Sequence, residues 1–284
     1  MKPAAFDYIR ADTIDEVVQL LSQHGEDARI LAGGQSLIAA LNMRLTQPRV
    51  LIDISRVKAL AGIKLTGTTM TVGAAVTQAA VERVVRDNTS FPLLAQAFPH
   101  LGHFQTRNRG TVCGSIAHAD PSAELPLCLA ALDGVVNLRS ARRARTVPAR
   151  DFFRGVLTTD RHADELIESV RFTAAKSQMR FGFTEVSMRH GDFAIVALAA
   201  AVSGEEIRLG VGGVADRPWV ETLPHSTGAD LDTALNDLAW KLGARDDQHA
   251  SAKYRRHLVR DLGKQLIMQL CNGTGNPTGR QVSR

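Results

Sequence analysis

The sequence predicts an α+β protein of two domains, the second of which is built on an antiparallel sheet. The length of 284 residues suits about two domains of roughly 150 residues each. Helix-like and strand-like segments alternate through residues 1–176, whereas three strand-like segments follow one another after the polar residues 176–178. We therefore place the domain boundary here, with one domain over 1–176 and a second over 177–284.

Residues 1–58 are expected to form a first subdomain in the order helix, strand, glycine-containing loop, helix, strand. Thr13 and Glu16 have the spacing of a capping box at the start of a helix. A strand over 29–31 leads into Ala32-Gly33-Gly34-Gln35-Ser36, which we call the first glycine segment. The elements that follow are a helical stripe from Leu37 to Leu45, ended by Pro48, and a buried strand over 50–54.

A second subdomain is expected over residues 59–176. Alternation around Gly67-Thr68 predicts a hairpin over 63–72, and the polar stretch 106–115 predicts a loop. Ser122 is placed to cap a helix over 125–132. The other predicted elements are helices over 77–87 and 91–101 and paired strands over 135–138 and 145–147.

The second domain is expected to contain three antiparallel strands and two helices. The strands cover 182–188, 195–202 and 206–211. The first helix covers 231–242, and an apolar residue at every fourth position from Tyr254 to Leu270 predicts a long C-terminal helix. Residues from about 273 onward lack an apolar anchor, so we expect a loose tail.

Composition and charge exclude several classes of function. The net charge of +5 is spread along the chain without a basic face interleaved with aromatics, so no nucleic-acid partner is expected. The three cysteines lack the spacing of a zinc or iron–sulfur site and suit a reducing compartment. The longest apolar run, 195–202, is too short to span a bilayer, and the N-terminus lacks the pattern of a signal peptide. We therefore expect a cytoplasmic protein without a metal of its own.

The first glycine segment has the features of a pyrophosphate-binding turn. It joins a strand to a helix, where free backbone N–H groups and the helix dipole attract a doubly charged pyrophosphate. Gly33 and Gly34 leave room for the phosphate oxygens, and the Ser36 hydroxyl can add a hydrogen bond. A glycine pair after a strand is also compatible with an ordinary tight turn.

Residues 109–115, which we call the second glycine segment, repeat this pattern with Gly110 and Gly114. Downstream, Glu124 is suited to accept hydrogen bonds from ribose hydroxyls, or it is a first-turn acid that meets only the helix dipole. His118 and Asp120 are conceivable as two metal ligands, but without a third ligand local hydrogen bonding in a loop is favoured.

One further pattern imitates a nicotinamide-dinucleotide fingerprint. Residues 210–215 match G-x-G-x-x-A, and Asp230 follows at a suitable distance. The fingerprint must open a helix, however, and Pro218 and Pro224 interrupt the residues that would form it. We therefore predict a strand ending in a turn.

Nearly the whole chain resembles the medium, FAD-binding subunit of the molybdenum hydroxylases, the group that includes carbon monoxide dehydrogenase and xanthine dehydrogenase. Three segments carry the resemblance in the family's order: AGGQSL over 32–37, RNRGTVCGSIAHADP over 107–121 and SMRHGDFA over 187–194. The resemblance implies a two-subdomain FAD-binding domain of the vanillyl-alcohol-oxidase-like type, followed by an α+β C-terminal domain, with FAD extended between them.

The resemblance also implies which residues hold FAD. The two glycine segments would wrap the pyrophosphate and ribose, Glu124 would contact the flavin, and Leu166 and Thr184 would approach the isoalloxazine ring. The expected cofactor-binding residues are Leu31, Ala32, Gly33, Gly34, Gln35, Ser36, Leu37, Arg109, Gly110, Thr111, Gly114, Ser115, His118, Asp120, Glu124, Leu166, Thr184, Asp192 and Phe193.

Three positions depart from the family pattern. Cys113 stands where the family has a glycine, and because cysteine does not adopt a positive φ as cheaply, we expect a slightly altered backbone. Phe193 stands where some relatives have a tyrosine, so it would keep the stacking area without the hydroxyl. Thr184 replaces a lysine of some animal relatives, which disfavours NAD as the electron acceptor.

The function that the resemblance implies is electron transfer in a heteromeric oxidoreductase. A small partner would carry two [2Fe-2S] clusters and a large partner molybdopterin, in a dimer of heterotrimers. FAD in this chain would accept the electrons and pass them to an external acceptor, and the complex would hydroxylate an N-heterocyclic aromatic or similar molecule. The alternatives are a stand-alone FAD-dependent oxidoreductase of the same superfamily and a non-enzymatic binding module.

Overall fold

The computed structural model describes residues 2–176, 178–204, 206–225 and 228–273, so the predicted tail beyond 273 lies outside the described residues. The strands are β1 Asp7–Arg10, β2 Ala28–Leu31, β3 Val50–Asp53, β4 Ile63–Thr66, β5 Thr69–Gly73, β6 Val135–Arg139, β7 Ala144–Pro148, β8 Phe153–Gly155, β9 Thr158–Thr159, β10 Leu166–Thr173, β11 Arg180–Ser187, β12 Ala194–Val202, β13 Glu206–Gly212 and β14 Trp219–Pro224. The α-helices are α1 Ile14–His24, α2 Leu37–Asn42, α3 Gln78–Arg86, α4 Pro92–Ala97, α5 Phe104–Arg109, α6 Val112–His118, α7 Glu124–Ala131, α8 Ala149–Phe152, α9 Gly228–Lys241 and α10 Ala252–Cys271. The α+β class is confirmed, and within the described ranges no helix is long and apolar enough to cross a membrane.

The first sheet is a small parallel one with the strand order β1-β3-β2. Thr13 caps α1, since its hydroxyl accepts a hydrogen bond from the Glu16 N–H at 3.1 Å, as the capping box predicts. The sequence does not predict strand β1, because its side chains are mostly exposed and it has no alternating apolar pattern. Its parallel pairing with β3 is a long-range feature that local periodicity does not encode.

The helix that follows the first glycine segment differs from its prediction. It ends at Asn42, well before Pro48, and Arg44 adopts a positive φ of 56°. The predicted stripe is not a single buried face, because Leu41 is buried whereas Ile38 is 42% exposed and Leu45 is 73% exposed. Ile38 faces a cavity, which is described below.

The second sheet has the order β4-β5-β10-β6-β7 and is antiparallel. The predicted hairpin over 63–72 and the predicted pairing of 135–138 with 145–147 are both confirmed. The central strand β10 lies just before the predicted domain boundary. It is not among the predicted strands. It pairs with both β5 and β6 and therefore joins the two hairpins into one sheet.

The predicted loop over 106–115 is wrong, because most of it is helical. It contains the end of α5 and the start of α6, separated only by Gly110 and Thr111. Thr111 caps α6 by accepting a hydrogen bond from the Gly114 N–H at 2.9 Å. The polar residues that suggested a loop lie in two short helices that tertiary contacts hold in place. The predicted cap at Ser122 is also wrong, since the residue that precedes α7 is Ala123.

The third large sheet, with the order β11-β12-β13-β14, is antiparallel and covered on both faces. All nine residues of β12 are buried. One face, with Ala197 and Ala199, packs on the core of the N-terminal part, while the other, with Leu198 and Ala200, packs on α9 and α10. A strand covered on both faces has a continuous apolar sequence, as β12 does.

The glycines of residues 210–215 serve the packing of α7 on this sheet. A Cβ at Gly210 would lie 2.9 Å from Leu127 Cδ1, and a Cβ at Gly212 would lie 3.3 Å from Leu127 Cδ2. The absence of side chains there therefore allows the helix to approach the strands closely. The prediction of a strand ending in a turn is confirmed, since β13 ends at Gly212 and Gly213 has a positive φ of 78°.

Candidate dinucleotide-binding site

The two glycine segments, which are 76 residues apart between Gly33 and Arg109, lie against each other. A Cβ built on Gly33 would lie 2.2 Å from the Arg109 carbonyl oxygen and 2.7 Å from Gly110 Cα. Any side chain at residue 33 would therefore force the two backbones apart. The sequence pattern assigns Gly33 to phosphate access, but the contact that requires glycine there is with the second glycine segment.

A cavity of about 470 Å³ opens beside this contact. Within the described part of the chain, no protein acceptor is bound by the backbone N–H groups of residues 34–37. Arg109 borders the same cavity with an exposed side chain. Free N–H groups are the donors that a pyrophosphate requires, and Arg109 adds a positively charged residue at the border of the cavity, so the site fits the central part of a dinucleotide.

The conformation of the first glycine segment depends on Gly34. Its φ is 73°, a left-handed value that an L-residue rarely adopts. A Cβ there would lie 3.1 Å from Ile38 Cγ1 and 3.2 Å from Leu31 Cδ1, so it would crowd two residues that line the cavity. Gln35 donates a hydrogen bond from Nε2 to the Gly33 carbonyl at 3.3 Å, which closes the turn on itself.

The second glycine segment is hydrogen-bonded to the residues that connect β5 to α3 and to the first residue of α3. Val112 donates its N–H to the Val76 carbonyl, and Gln78 donates its N–H to the Gly110 carbonyl at 2.8 Å. Gly114 is required by the cap, because a Cβ there would lie 2.7 Å from the Thr111 hydroxyl oxygen. Ser115 is half-buried in the same turn of α6.

Cys113 lies in regular helix, and a backbone that is altered relative to the family stays a prediction. It is the second residue of α6, and it has no positive φ, so a side chain is tolerated without strain. The side chain is buried, and its Sγ lies 3.5 Å from the Val72 carbonyl oxygen. Burial raises the pKa of the Cys113 thiol to about 12, so the group stays protonated and unreactive at neutral pH.

His118 is the last residue of α6, and Asp120 follows two residues later. Their contact with the cofactor stays a prediction. Ala119, between them, has a φ of 51° and terminates the helix. Asp120 accepts a hydrogen bond from the Ser122 N–H at 2.8 Å, which turns the chain toward α7. Among the described residues no group of three or more metal-ligating side chains is present.

Glu124 is the first residue of α7 and is 6% exposed. Burial, then the negative charges of Glu185 and Asp120, raise the pKa of the Glu124 carboxyl to about 8. Glu185 on β11 is itself buried, with Oε1 at 3.4 Å from His100 Nδ1 and with Oε2 unpartnered within the described residues. The region where α7 meets the C-terminal sheet therefore contains two buried carboxyl groups, and the raised pKa of Glu124 keeps that group neutral at pH 7.

The third signature packs on the residues that precede α5, the helix that leads into the second glycine segment. A Cβ at Gly191 would lie 3.0 Å from His103 Cε1 and 3.1 Å from the Gly102 carbonyl carbon, so the turn between β11 and β12 covers the residues that precede α5. Asp192 and Phe193 are exposed at this turn, Phe193 by 57%.

The two residues expected near the isoalloxazine ring have different environments. Leu166 is 1% exposed at the start of β10, whereas Thr184 is half-buried in the middle of β11. Their contact with a flavin stays a prediction.

Residues 4–173 match the family described as the FAD binding domain in molybdopterin dehydrogenase, which is more than half of the chain. This chain belongs to that family. It is 35% identical to the 6-hydroxypseudooxynicotine dehydrogenase complex subunit alpha of Paenarthrobacter nicotinovorans, over 94% of this chain and 95% of the relative.

Two solved structures extend the similarity to nearly the full length. The quinoline 2-oxidoreductase of Pseudomonas putida 86 superposes with a TM-score of 0.88 at 32% identity, covering 96% of this chain and 99% of the other. A carbon monoxide dehydrogenase of Hydrogenophaga pseudoflava superposes with a TM-score of 0.86 at 28% identity, covering 96% and 98%. The chain is therefore an FAD-binding medium subunit of the molybdenum hydroxylase type and a subunit of an oxidoreductase.

In this medium subunit, the set that the sequence predicts lacks four uncharged residues that line the cavity, Ile38, Ala39, Asn42 and Ser55, and two acidic residues of the site region. Asp53 borders the cavity, and Glu185 faces Glu124. Asp53 ends a strand parallel to the one that enters the first glycine segment, and this adjacency was available from the predicted strand order. No sequence pattern predicts Glu185 as a site residue, because its neighbours come from a helix and a strand that are far apart in sequence.

Replacing Cys113 by alanine or glycine is expected to leave FAD affinity within about twofold of the wild type. The thiol lies on the buried side of α6, where it packs and donates to the Val72 carbonyl oxygen. Its loss should therefore lower the free energy of unfolding by about 1–2 kcal/mol, with glycine up to about 1 kcal/mol worse than alanine. Titration of FAD by fluorescence quenching and urea denaturation measure both effects. A tenfold loss of FAD affinity in both variants would show that the thiol contributes to binding.

Proposed function

We propose that this medium subunit binds FAD across the two glycine segments and transfers electrons from the [2Fe-2S] clusters of a partner to an external acceptor. The observation that supports the proposal most strongly is the contact of Gly33 with Arg109, which unites two distant segments beside a cavity with free N–H donors. Bound FAD supplies the redox chemistry, and the chain's own residues bind it, orient it and exclude water.

The division of labour within the chain follows from this proposal. Residues 1–176 form the FAD-binding domain, with subdomains over about 1–58 and 59–176, and residues from 177 onward form the C-terminal domain. The donors at 34–37 and Arg109 are assigned to the pyrophosphate. Thr111, Gly114 and Ser115 do not line this cavity, and we assign them to the neighbouring part of the cofactor from the family pattern alone. Leu166, Thr184, Asp192 and Phe193 are assigned to the flavin end.

Glu124 has a specific part in this scheme. Because its carboxyl is neutral at pH 7, it presents an O–H as well as an acceptor oxygen, so it can donate to the flavin or to a ribityl oxygen. An ionised carboxylate in the same place would only accept. Thr184 adds no cation, so we expect an acceptor other than NAD.

We place the subunit in a cytoplasmic complex with a small [2Fe-2S] subunit and a large molybdopterin subunit, assembled as a dimer of heterotrimers. Within the described residues there is no ligand set for a cluster or a metal, which leaves those cofactors to partners. The substrate of the complex is an N-heterocyclic aromatic compound. Similarity to dehydrogenases of a nicotine derivative and of quinoline supports this choice, although carbon monoxide dehydrogenase has almost the same fold.

Isolation of the complex from its native host tests the proposal. We expect three co-purifying chains, one FAD released from this subunit, and iron, sulfide and molybdopterin associated with the other two. A chain that purifies alone and oxidises a substrate without partners would favour the alternative of a stand-alone flavin oxidoreductase. A colourless chain that takes up no added FAD would contradict both.

A further inference from the structure

The cavity beside the first glycine segment extends beyond the N–H donors to a second set of residues. Ile38, Ala39 and Asn42 line it from α2, and Asp53 and Ser55 line it from the end of β3. Ile38 presents an apolar side chain that is 42% exposed. These residues therefore combine an apolar surface with a carboxylate, a combination that suits neither phosphate nor a purely apolar ligand.

Asp53 is held in a fixed orientation by two donors. Its Oδ2 accepts a hydrogen bond from the Tyr8 hydroxyl at 2.5 Å, and its Oδ1 accepts one from the Ser55 N–H at 2.7 Å. Burial favours the neutral acid, but the hydrogen bonds from Tyr8 and Ser55 outweigh it and lower the pKa of the Asp53 carboxyl. Asp53 is thus ionised at neutral pH, and each oxygen has further acceptor capacity.

The charged groups that border the cavity favour different parts of a dinucleotide beside each of them. The N–H groups of residues 34–37 and the Arg109 guanidinium attract the pyrophosphate, whereas the Asp53 carboxylate repels it. A neutral part of the ligand that carries hydrogen-bond donors and an aromatic ring is favoured beside Asp53 and Ile38 instead. The adenosine half of FAD has both, in its ribose hydroxyls, its exocyclic amine and its purine ring.

We propose that Asp53 is a specificity-determining residue that accepts a hydrogen bond from the adenosine half of FAD, with Tyr8 as its positioning residue and Ile38 as the apolar surface beneath the base. The inference rests on the proposed function, because it takes the pyrophosphate to lie on the first glycine segment. It adds a recognition element that neither glycine segment contains. Either a ribose hydroxyl or the exocyclic amine of adenine can donate this hydrogen bond to Asp53.

The test compares FAD affinity of the full-length wild-type chain with that of Asp53→Asn. A hydrogen bond to a charged group contributes about 1.5–3 kcal/mol, so Asp53→Asn should weaken FAD binding by about 10–150-fold. Tyr8→Phe keeps the carboxylate but frees its orientation, and it should weaken binding by only about two- to fivefold. Asp151→Asn, on an exposed acid that pairs only with Arg150 in the described ranges, is the matched control and should bind FAD as the wild type does.

Competing nucleotides distinguish the two donors. ADP, 2′,3′-dideoxy-ADP and IDP are used to displace FAD from the wild type and from Asp53→Asn. If a ribose hydroxyl is the donor, dideoxy-ADP competes more weakly than ADP with the wild type and equally with the variant. If the amine is the donor, IDP competes more weakly than ADP with the wild type and equally with the variant.

Outcomes against the inference are separable from failure of the proposed function. A folded Asp53→Asn chain that binds FAD as tightly as the wild type, or more tightly, overturns the role of Asp53. If that variant does not fold, a wild type that binds ADP, dideoxy-ADP and IDP equally, together with unchanged FAD affinity in Tyr8→Phe, overturns it as well. A wild-type chain that binds no FAD contradicts the proposed function itself.

Discussion

A Gly33→Ala variant is expected to lose bound FAD, with affinity reduced at least a hundredfold. The added methyl would lie 2.2 Å from the Arg109 carbonyl oxygen and 2.8 Å from its carbonyl carbon, and both are backbone atoms that cannot rotate away. The two glycine segments must then separate, which moves Arg109 relative to the N–H groups of residues 34–37. Overpacking of this kind also costs about 1–3 kcal/mol of stability.

Two other glycines make the comparison specific. Gly67 lies in the β4–β5 turn, where a Cβ would have no atom within 4 Å and the φ is not positive, so Gly67→Ala should keep full FAD affinity and stability. The FAD affinity and stability of Gly34→Ala should lie between those of Gly33→Ala and Gly67→Ala. The added methyl would contact only side chains, which can move, but an alanine would be strained at a φ of 73°. FAD content after gel filtration and the urea midpoint measure all three. A yellow, stable Gly33→Ala chain would show that the segments need not touch.

A Glu124→Gln variant is expected to be more stable than the wild type at alkaline pH. The folded-state pKa is raised to about 8, whereas an unfolded glutamate has a pKa of about 4.3. The folded chain therefore holds a proton that the unfolded chain releases between these values, so wild-type stability is fully present below about pH 4.3 and declines until about pH 8. The decline amounts to about 3–5 kcal/mol, and glutamine removes it.

Urea denaturation of the FAD-free chains at pH 5, 7 and 9 measures this difference. Subtraction of one chain from the other cancels the contributions of unrelated groups, such as the Asp160 and Glu165 carboxyls whose pKa values are lowered by Arg145 and its neighbours. Glu185→Gln should reduce the decline, since the charge of Glu185 is one cause of the shift. Wild-type and Glu124→Gln stabilities that run parallel from pH 5 to 9 would contradict a neutral Glu124.

Local sequence patterns are sufficient to predict most of the regular structure. The capping box at Thr13, the hairpin around Gly67 and the continuous apolar run of β12 each depend on neighbours in the chain, and each prediction is confirmed. The family is also recognisable from three short segments. Patterns fail where long-range contacts decide the conformation, as in β1, the central strand β10 and the short helices α5 and α6.

The amino-acid sequence by itself determined the α+β class, the family and the two glycine segments, because these depend on local composition and order. Only the tertiary structure decided why the glycines are there. Gly33 is required by Arg109, Gly114 by the Thr111 cap, and Gly210 by the approach of Leu127. Burial beside Glu185 likewise decided that Glu124 is neutral, since desolvation and Coulombic repulsion act through space between groups that are distant along the chain.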